Sequence, residues 1–151
     1  MAVSYSELSK WFADVKDKSP KEVGKFIGGK VEINVNAGTF DDVCAIRASY
    51  AFNMAGEPIL SSDGAVSSGA DGRWYLYRVD DMENFVKRVI GGTPLTGNSS
   101  SDFKGHKGII FFNGCNFGGD ATGHVDLYNG SIVEDQDYSD RCNKLKLYIV
   151  D

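Results

Sequence analysis

The stretch Ala121-Thr122-Gly123-His124-Val125-Asp126-Leu127-Tyr128-Asn129-Gly130-Ser131-Ile132-Val133-Glu134-Asp135 decides how the chain is read. Its middle alternates as a half-buried strand does, with Val125 and Leu127 on one face and His124, Asp126 and Tyr128 on the other. Asn129-Gly130 then supplies the signal of a hairpin closed by a two-residue type I′ turn. In that register Tyr128 faces Ser131, and Ile132 lies opposite Leu127. His124 falls opposite Asp135 with Cβ atoms roughly 5 Å apart. A carboxylate beside an imidazole fixes its tautomer and favours the imidazolium, which is the orienting half of a nucleophilic triad. A polar cross-strand pair on a wet face would read the same way, so the meaning depends on what else reaches His124.

The answer lies eighty residues upstream, in Val43-Cys44-Ala45-Ile46-Arg47-Ala48-Ser49-Tyr50-Ala51-Phe52-Asn53. These residues read as a helix capped by Asp41 or Asp42 and stopped by Gly56, with Val43, Ile46 and Tyr50 on its apolar stripe. Cys44 then sits in the first turn, where the helix dipole and free backbone N–H groups favour a thiolate. Those N–H groups are also suited to an oxyanion, and a nearby imidazole would complete the activation. Cys44, His124 and Asp135 follow the order of a papain-like hydrolase: thiol on a helix start, imidazole on a strand, acid after it. Asp126, two residues along from His124 and roughly 7 Å away in an extended strand, is the weaker orienter. His106, in Lys104-Gly105-His106-Lys107, reads as a solvent-exposed turn residue.

Composition limits the alternatives. With 151 residues the chain is long enough for one domain with a substantial core, 1–151. Its 42% hydrophobic content argues against disorder, and a net charge of −5 without a basic run disfavours nucleic acid. No apolar run approaches the ~20 residues of a membrane span, and Met1-Ala2-Val3-Ser4-Tyr5 lacks the basic and apolar regions of a Sec signal. Cys44, Cys115 and Cys142 show no CxxC spacing, which argues against zinc, and an odd count leaves one thiol unpaired. The sequence leaves open whether Cys115 and Cys142 pair. No metal or organic cofactor is implied.

The remaining segments predict helices before strands. Tyr5 to Lys18 and Pro20 to Ile27 read as amphipathic helices, and Lys30 to Asn36 as a short strand after Gly28-Gly29. Glu57 to Gly72 is expected to be an exposed connection, Arg73 to Val79 a strand with a core role, and Asp80 to Ile90 a helix. Gly91 to Lys104 reads as a loop, Lys107 to Asn113 as a fully buried strand, and Leu145 to Val150 as the last strand. The Gly114 to Gly123 loop carries Gly118-Gly119 without a Walker lysine, so it reads as the rim of a cleft and not a phosphate cradle. The fold class is α+β, with N-terminal helices packed on a mainly antiparallel sheet.

On these residues the chain resembles the Tae4 family of type VI secretion amidase effectors, bacterial toxins that cut peptidoglycan stem peptides. The resemblance is carried by Cys44-Ala45-Ile46-Arg47-Ala48-Ser49-Tyr50 with Asn53, Ser68-Gly69-Ala70-Asp71, and Tyr75-Leu76-Tyr77-Arg78-Val79. It continues through Phe103-Lys104-Gly105-His106-Lys107-Gly108-Ile109-Ile110 and Gly123 to Ile132. It implies an NlpC/P60-type, papain-like fold with Cys44, His124 and Asp135 as the triad. It also implies cleavage between D-glutamate and meso-diaminopimelate, action in the periplasm of a target cell, and inhibition by a Tai4-type immunity protein. In the family, two cysteines flank the third triad residue in a disulfide; here Val133 and Asp137 stand at those positions. A catalytically silent wall- or immunity-binding domain, or a thiol transferase or deamidase, would share much of this pattern.

Overall fold

The computed structural model describes residues 3–40, 42–118 and 123–151. Helices α1 (Tyr5–Phe12), α2 (Pro20–Ile27), α3 (Gly29–Asn36) and α4 (Cys44–Met54) come first. Strands β1 (Val66–Ser68) and β2 (Trp74–Leu76) pair as a small sheet, and α5 (Val79–Val89) follows. Strands β3 (Leu95–Gly97), β4 (Gly108–Cys115), β5 (Gly123–Tyr128) and β6 (Cys142–Ile149) form an antiparallel sheet in the order β3-β6-β4-β5. The expected α+β class therefore holds, with β4 at the centre and β5 at one edge.

Strand β4 explains the two-layered interior. Ile109 and Phe111 face α1, α4 and α5 together with Val125, Leu127 and Tyr148, while Ile110 and Phe112 face the other side with Leu145, Leu147, Tyr128 and Phe103. A strand covered on both faces has no polar alternation to show, which is why this one reads as an unbroken apolar run. Its far end is tied to β6 by the Cys115–Cys142 disulfide between ladder partners. Cys44 is the free thiol.

Helix α4 packs on this sheet with nearly its whole circumference buried. Its two buried polar side chains are both satisfied by the small sheet and the turn before it. Ser49 Oγ accepts from Leu76 N at 3.0 Å, and Asn53 donates to Trp74 O and accepts from Ile59 N, each at 2.8 Å. These bonds fix the axis of α4, and with it the direction of its first turn.

Several expectations are corrected: the first helix ends at Phe12, not Lys18, and the 57–72 connection contains strand β1 with Ile59 and Ser67 buried. Lys30 to Asn36 is helical, forming most of α3. Val31, Ile33 and Val35 imitate strand alternation, but Val35 packs against Gly24 of α2, where an added Cβ would meet Val35 Cβ at 3.1 Å. Glycine at 24 lets the two helices close, and Gly28 and Gly29, with φ of 73° and 62°, make the sharp joint between them. Gly91 to Lys104 is likewise not only loop, since it contains edge strand β3 and a 3₁₀ turn at Ser100–Phe103.

The hairpin also differs from its expected register. Tyr128 faces Val133, not Ser131, and Glu134 N donates to Leu127 O at 2.8 Å. The Asn129 side chain accepts from both Ser131 N and Ile132 N at 2.9 Å, and Asn129 N donates to Ile132 O. That Asx-type closure widens the turn to Asn129-Gly130-Ser131-Ile132 and leaves Ile132 out in solvent, not opposite Leu127. The shift is by an even number of residues, so each side chain keeps its face. The polar face is not wet, however: His124, Asp126 and Tyr128 are all buried.

Candidate active site

Cys44 opens α4 at the outer edge of β5, where its thiol interacts with the Val125 backbone N–H. The N-cap of α4 is Val43, not Asp42, but Asp42 Oδ1 from one residue earlier accepts from Cys44 N at 2.8 Å; Asp41 lies outside the described residues. The Cys44 N–H expected to serve an oxyanion is thereby engaged. Cys44 Sγ, a ring nitrogen of His124 and a carboxylate oxygen of Asp42 lie within 4.8 Å of one another. The helix start and the strand therefore do bring thiol and imidazole together.

His124 Nε2 stands 2.8 Å from Asp126 Oδ2, which leaves Nδ1, buried and without a partner among the described residues, for the thiol. Asp126 is fully buried and saturated: Oδ1 accepts from Leu127 N at 2.8 Å and Asp135 N at 3.1 Å, and Oδ2 also accepts from Gln136 N at 3.0 Å. Three backbone donors and one imidazole make this carboxylate a fixed point of the site.

Asp135 is not hydrogen-bonded to His124. The widened turn sets it beside Asp126, to which it gives its backbone N–H, and its carboxylate pairs with Arg47 at 3.7 Å. It remains close, because one carboxylate oxygen each from Asp126 and Asp135 and a nitrogen of His124 fall within 4.8 Å of one another. The expected cross-strand pair of His124 and Asp135 is thus replaced by a same-strand pair of His124 and Asp126.

The electrostatics follow from this geometry. Burial pulls the His124 imidazole down, but the hydrogen bond to Asp126 and the neighbouring Cys44 outweigh it and push it up to about 10. Burial pushes the Cys44 thiol up, while its contact with His124 pulls it back and the Asp42 charge adds to the rise. Burial and the Asp126 charge raise Asp135, against the opposing pull of Arg47 and His124. The site is arranged to hold a proton on His124 and to develop charge on sulfur only as an ion pair with it.

Residues not foreseen from sequence complete the surroundings. Phe112 lies 5.6 Å from the His124 ring, and Tyr138 meets it edge-on at 4.9 Å with Phe117 packed behind. Phe112 is the Cα partner of His124 across the ladder, a neighbour that the β4 and β5 sequences imply once they are paired. On α4, Arg47 reaches Lys18 O at 2.7 Å as well as Asp135. His106 is exposed, as expected; of the Arg73 to Val79 run expected as a core strand, only Trp74–Leu76 is strand, with Tyr75 and Leu76 core and Trp74 exposed. The Gly118-Gly119 stretch lies partly outside the described residues. Among the described residues, Asp42, Cys44 and His124, and His124, Asp126 and Asp135, are the groupings with metal-binding side chains. Both share His124, whose Nε2 is already bonded to Asp126.

A family model for the type VI secretion system amidase effector protein 4, Tae4, matches residues 40–148. The chain belongs to the Tae4 family. Solved Tae4 structures agree over the full length. The Tae4–Tai4 effector–immunity complex from Salmonella Typhimurium shows 38% identity, with 100% of each chain covered and a TM-score of 0.90. The corresponding complex from Enterobacter cloacae shows 33% identity, 100% of each chain and 0.88. Tae4 alone from Enterobacter cloacae shows 33% identity, 100% of this chain and 98% of that one, with 0.87. A comparison with curated proteins finds no match. As a Tae4 member, this chain is an amidase effector of a type VI secretion system, and Cys44 and His124 both fall within the matched segment. No helix among the described residues is long and apolar enough to cross a membrane.

Proposed function

We propose that residues 1–151 form a single cysteine amidase domain that hydrolyses the D-glutamate–meso-diaminopimelate bond of peptidoglycan stem peptides. The observation that carries this reading is the relay from Cys44, at the start of α4, through His124 to a buried carboxylate 2.8 Å away on Asp126. The Cys44 thiolate, formed as an ion pair with the His124 imidazolium, attacks the amide carbonyl, and a C–S bond forms. The C–N bond then breaks as the imidazolium protonates the leaving amine. Water, deprotonated by His124, attacks the thioester; the C–S bond breaks and the thiolate–imidazolium pair is restored. Asp126 holds the tautomer and balances the imidazolium, and Asp135 adds a second negative charge nearby. The D-glutamate–meso-diaminopimelate assignment rests on the family resemblance, and no metal or organic cofactor is required by this chemistry.

The substrate lies outside the inner membrane, so the effector acts in the periplasm of the target cell after delivery by the secretion apparatus. The Tae4–Tai4 complexes among its relatives support a Tai4-type immunity protein as its partner. Digestion of purified sacculi, with separation and mass spectrometry of the muropeptides, tests the assignment. The wild-type protein should release new D-glutamate carboxyl and diaminopimelate amino ends, and Cys44→Ala should release neither while remaining folded. Activity retained by Cys44→Ala would overturn the mechanism. A silent binding domain would leave the sacculi intact and its thiol unreactive, whereas a transferase would consume an added amine.

A further inference from the structure

The acid side of the site hangs on a short segment, 134–136, that belongs to no strand. Asp135 N and Gln136 N both donate to the Asp126 carboxylate, so the place of this segment sets the place of the carboxylate. What holds the segment is its first residue. Glu134, with a side chain 7% exposed, accepts from the Tyr5 hydroxyl and, at 3.1 Å, from Ser9 Oγ, with Lys16 Nζ at 3.7 Å. Tyr5 and Ser9 are on the same face of α1, one turn apart. Tyr5 is itself fixed, since its ring is buried and its N–H donates to Asp151 O at 2.9 Å. The next residue of the segment, Asp135, is pinned from the other side by Arg47, which is held on Lys18 O just before α2.

We infer that α1, which lies outside the family-matched segment 40–148, is a positioning element for catalysis: through Glu134 it holds the backbone donors that aim Asp126 at His124. The reasoning is geometric. A buried carboxylate facing two hydroxyls and a lysine could be met by many surfaces if only stability mattered. Here the acceptor is one and two residues before the two loop donors of the catalytic carboxylate. Releasing Glu134 frees the segment by the small distances to which proton-transfer geometry is sensitive. The inference rests on the amidase reading for its consequence in turnover, and on the thiol alone for its consequence in reactivity.

The test uses the full chain with Tyr5→Phe combined with Ser9→Ala, which removes both hydroxyls and keeps the apolar packing, and separately with Glu134→Gln. Three quantities are measured: kcat and KM on muropeptides, the pH profile of Cys44 alkylation by iodoacetamide, and thermal stability. The double variant should lower kcat about tenfold with KM unchanged, and should move the alkylation profile up in pH because the imidazolium is less well held. Ser9→Thr, which keeps a hydroxyl, should leave both at wild-type values. A lowered melting temperature with kcat and the alkylation profile unmoved would make α1 a structural brace only and overturn the inference, as would no change at all. If the wild-type protein fails to cleave muropeptides, the amidase reading falls, while the alkylation profiles still decide the role of α1.

Discussion

His124 and Asp126 are two residues apart on one strand, share its face, and are joined by a 2.8 Å hydrogen bond between Nε2 and Oδ2. Side chains at this spacing stand nearly 7 Å apart at the backbone, so the carboxylate has to lean along the strand to reach the ring. The donors of Leu127, Asp135 and Gln136 hold it in that lean.

Asp126→Asn is therefore expected to lower kcat about a hundredfold or more, the scale of losing a general base's support. It should also cost stability, because an amide NH₂ would face backbone donors. Asp135→Asn, which keeps the backbone N–H to Asp126 and loses a partly buried charge paired with Arg47, should cost much less of both. Steady-state kinetics and thermal melts of the two variants decide it. An inactive Asp135→Asn beside a competent Asp126→Asn would return the orienting role to Asp135.

The raised His124 predicts how stability depends on pH. The folded protein keeps the proton up to about 10, whereas a free imidazole releases it near 6.5. A group with a raised folded value contributes fully below its unfolded value and loses that contribution as pH rises through the folded one. The melting temperature should fall steadily from pH 7 to pH 10, and the fall should be shallower in His124→Gln. The tyrosines raised by burial, Tyr50 and Tyr75 among them, act only above that window.

Asp42 acts on Cys44 in two ways: its charge raises the thiol while its oxygen holds the Cys44 N–H. Asn in its place keeps an oxygen for the Cys44 N–H and removes the charge. Asp42→Asn should therefore alkylate faster at neutral pH, by a few-fold, with little loss of stability. Asp42→Ala should lose about 1 kcal/mol through the missing hydrogen bond to Cys44 N. Rates of iodoacetamide labelling and urea melts check both.

The Cys115–Cys142 bond closes 27 residues of sequence between β4 and β6. Replacing both cysteines by serine should cost about 3 kcal/mol, by restoring freedom to the unfolded chain. Free-thiol titration should find one reactive group in the oxidised wild-type protein and three after unfolding under reductant.

Directed to the periplasm of a Gram-negative host by an added signal, the protein should lyse cells, whereas expression in the cytoplasm should be tolerated. Culture density and microscopy read the outcome. Equal toxicity in both compartments, retained by Cys44→Ala, would place the target elsewhere than in the wall.

What the sequence disclosed follows from how local each signal is. Cys44 at a helix start and the buried β4 run are set by patterns within a dozen residues, and both are present as read. Strand character at His124 is equally local. Helix α3 was misread because Val31, Ile33 and Val35 alternate, and only the approach of Gly24 shows that a helix is required. The register at Asn129-Gly130 turned on one side chain: Asn129 bonds to two later N–H groups and makes a wider turn than the dipeptide suggests. Asp126 was undervalued for the same reason, since two of its three backbone donors come from a segment whose position no nearby residue reveals. They become visible only when Glu134 is traced back to α1.

Strand β4, bonded on both edges and covered on both faces, should hold the slowest-exchanging amides of the chain. His124 is laddered directly to it through Phe112, whereas residues 134–136 are attached by a bridge, a few single bonds and the reach of Glu134. The imidazole and two of the three donors that steady its carboxylate, Asp135 N and Gln136 N, are thus expected to open independently. Thermal openings of the segment can occur with the sheet intact, so heat can silence turnover before the protein unfolds.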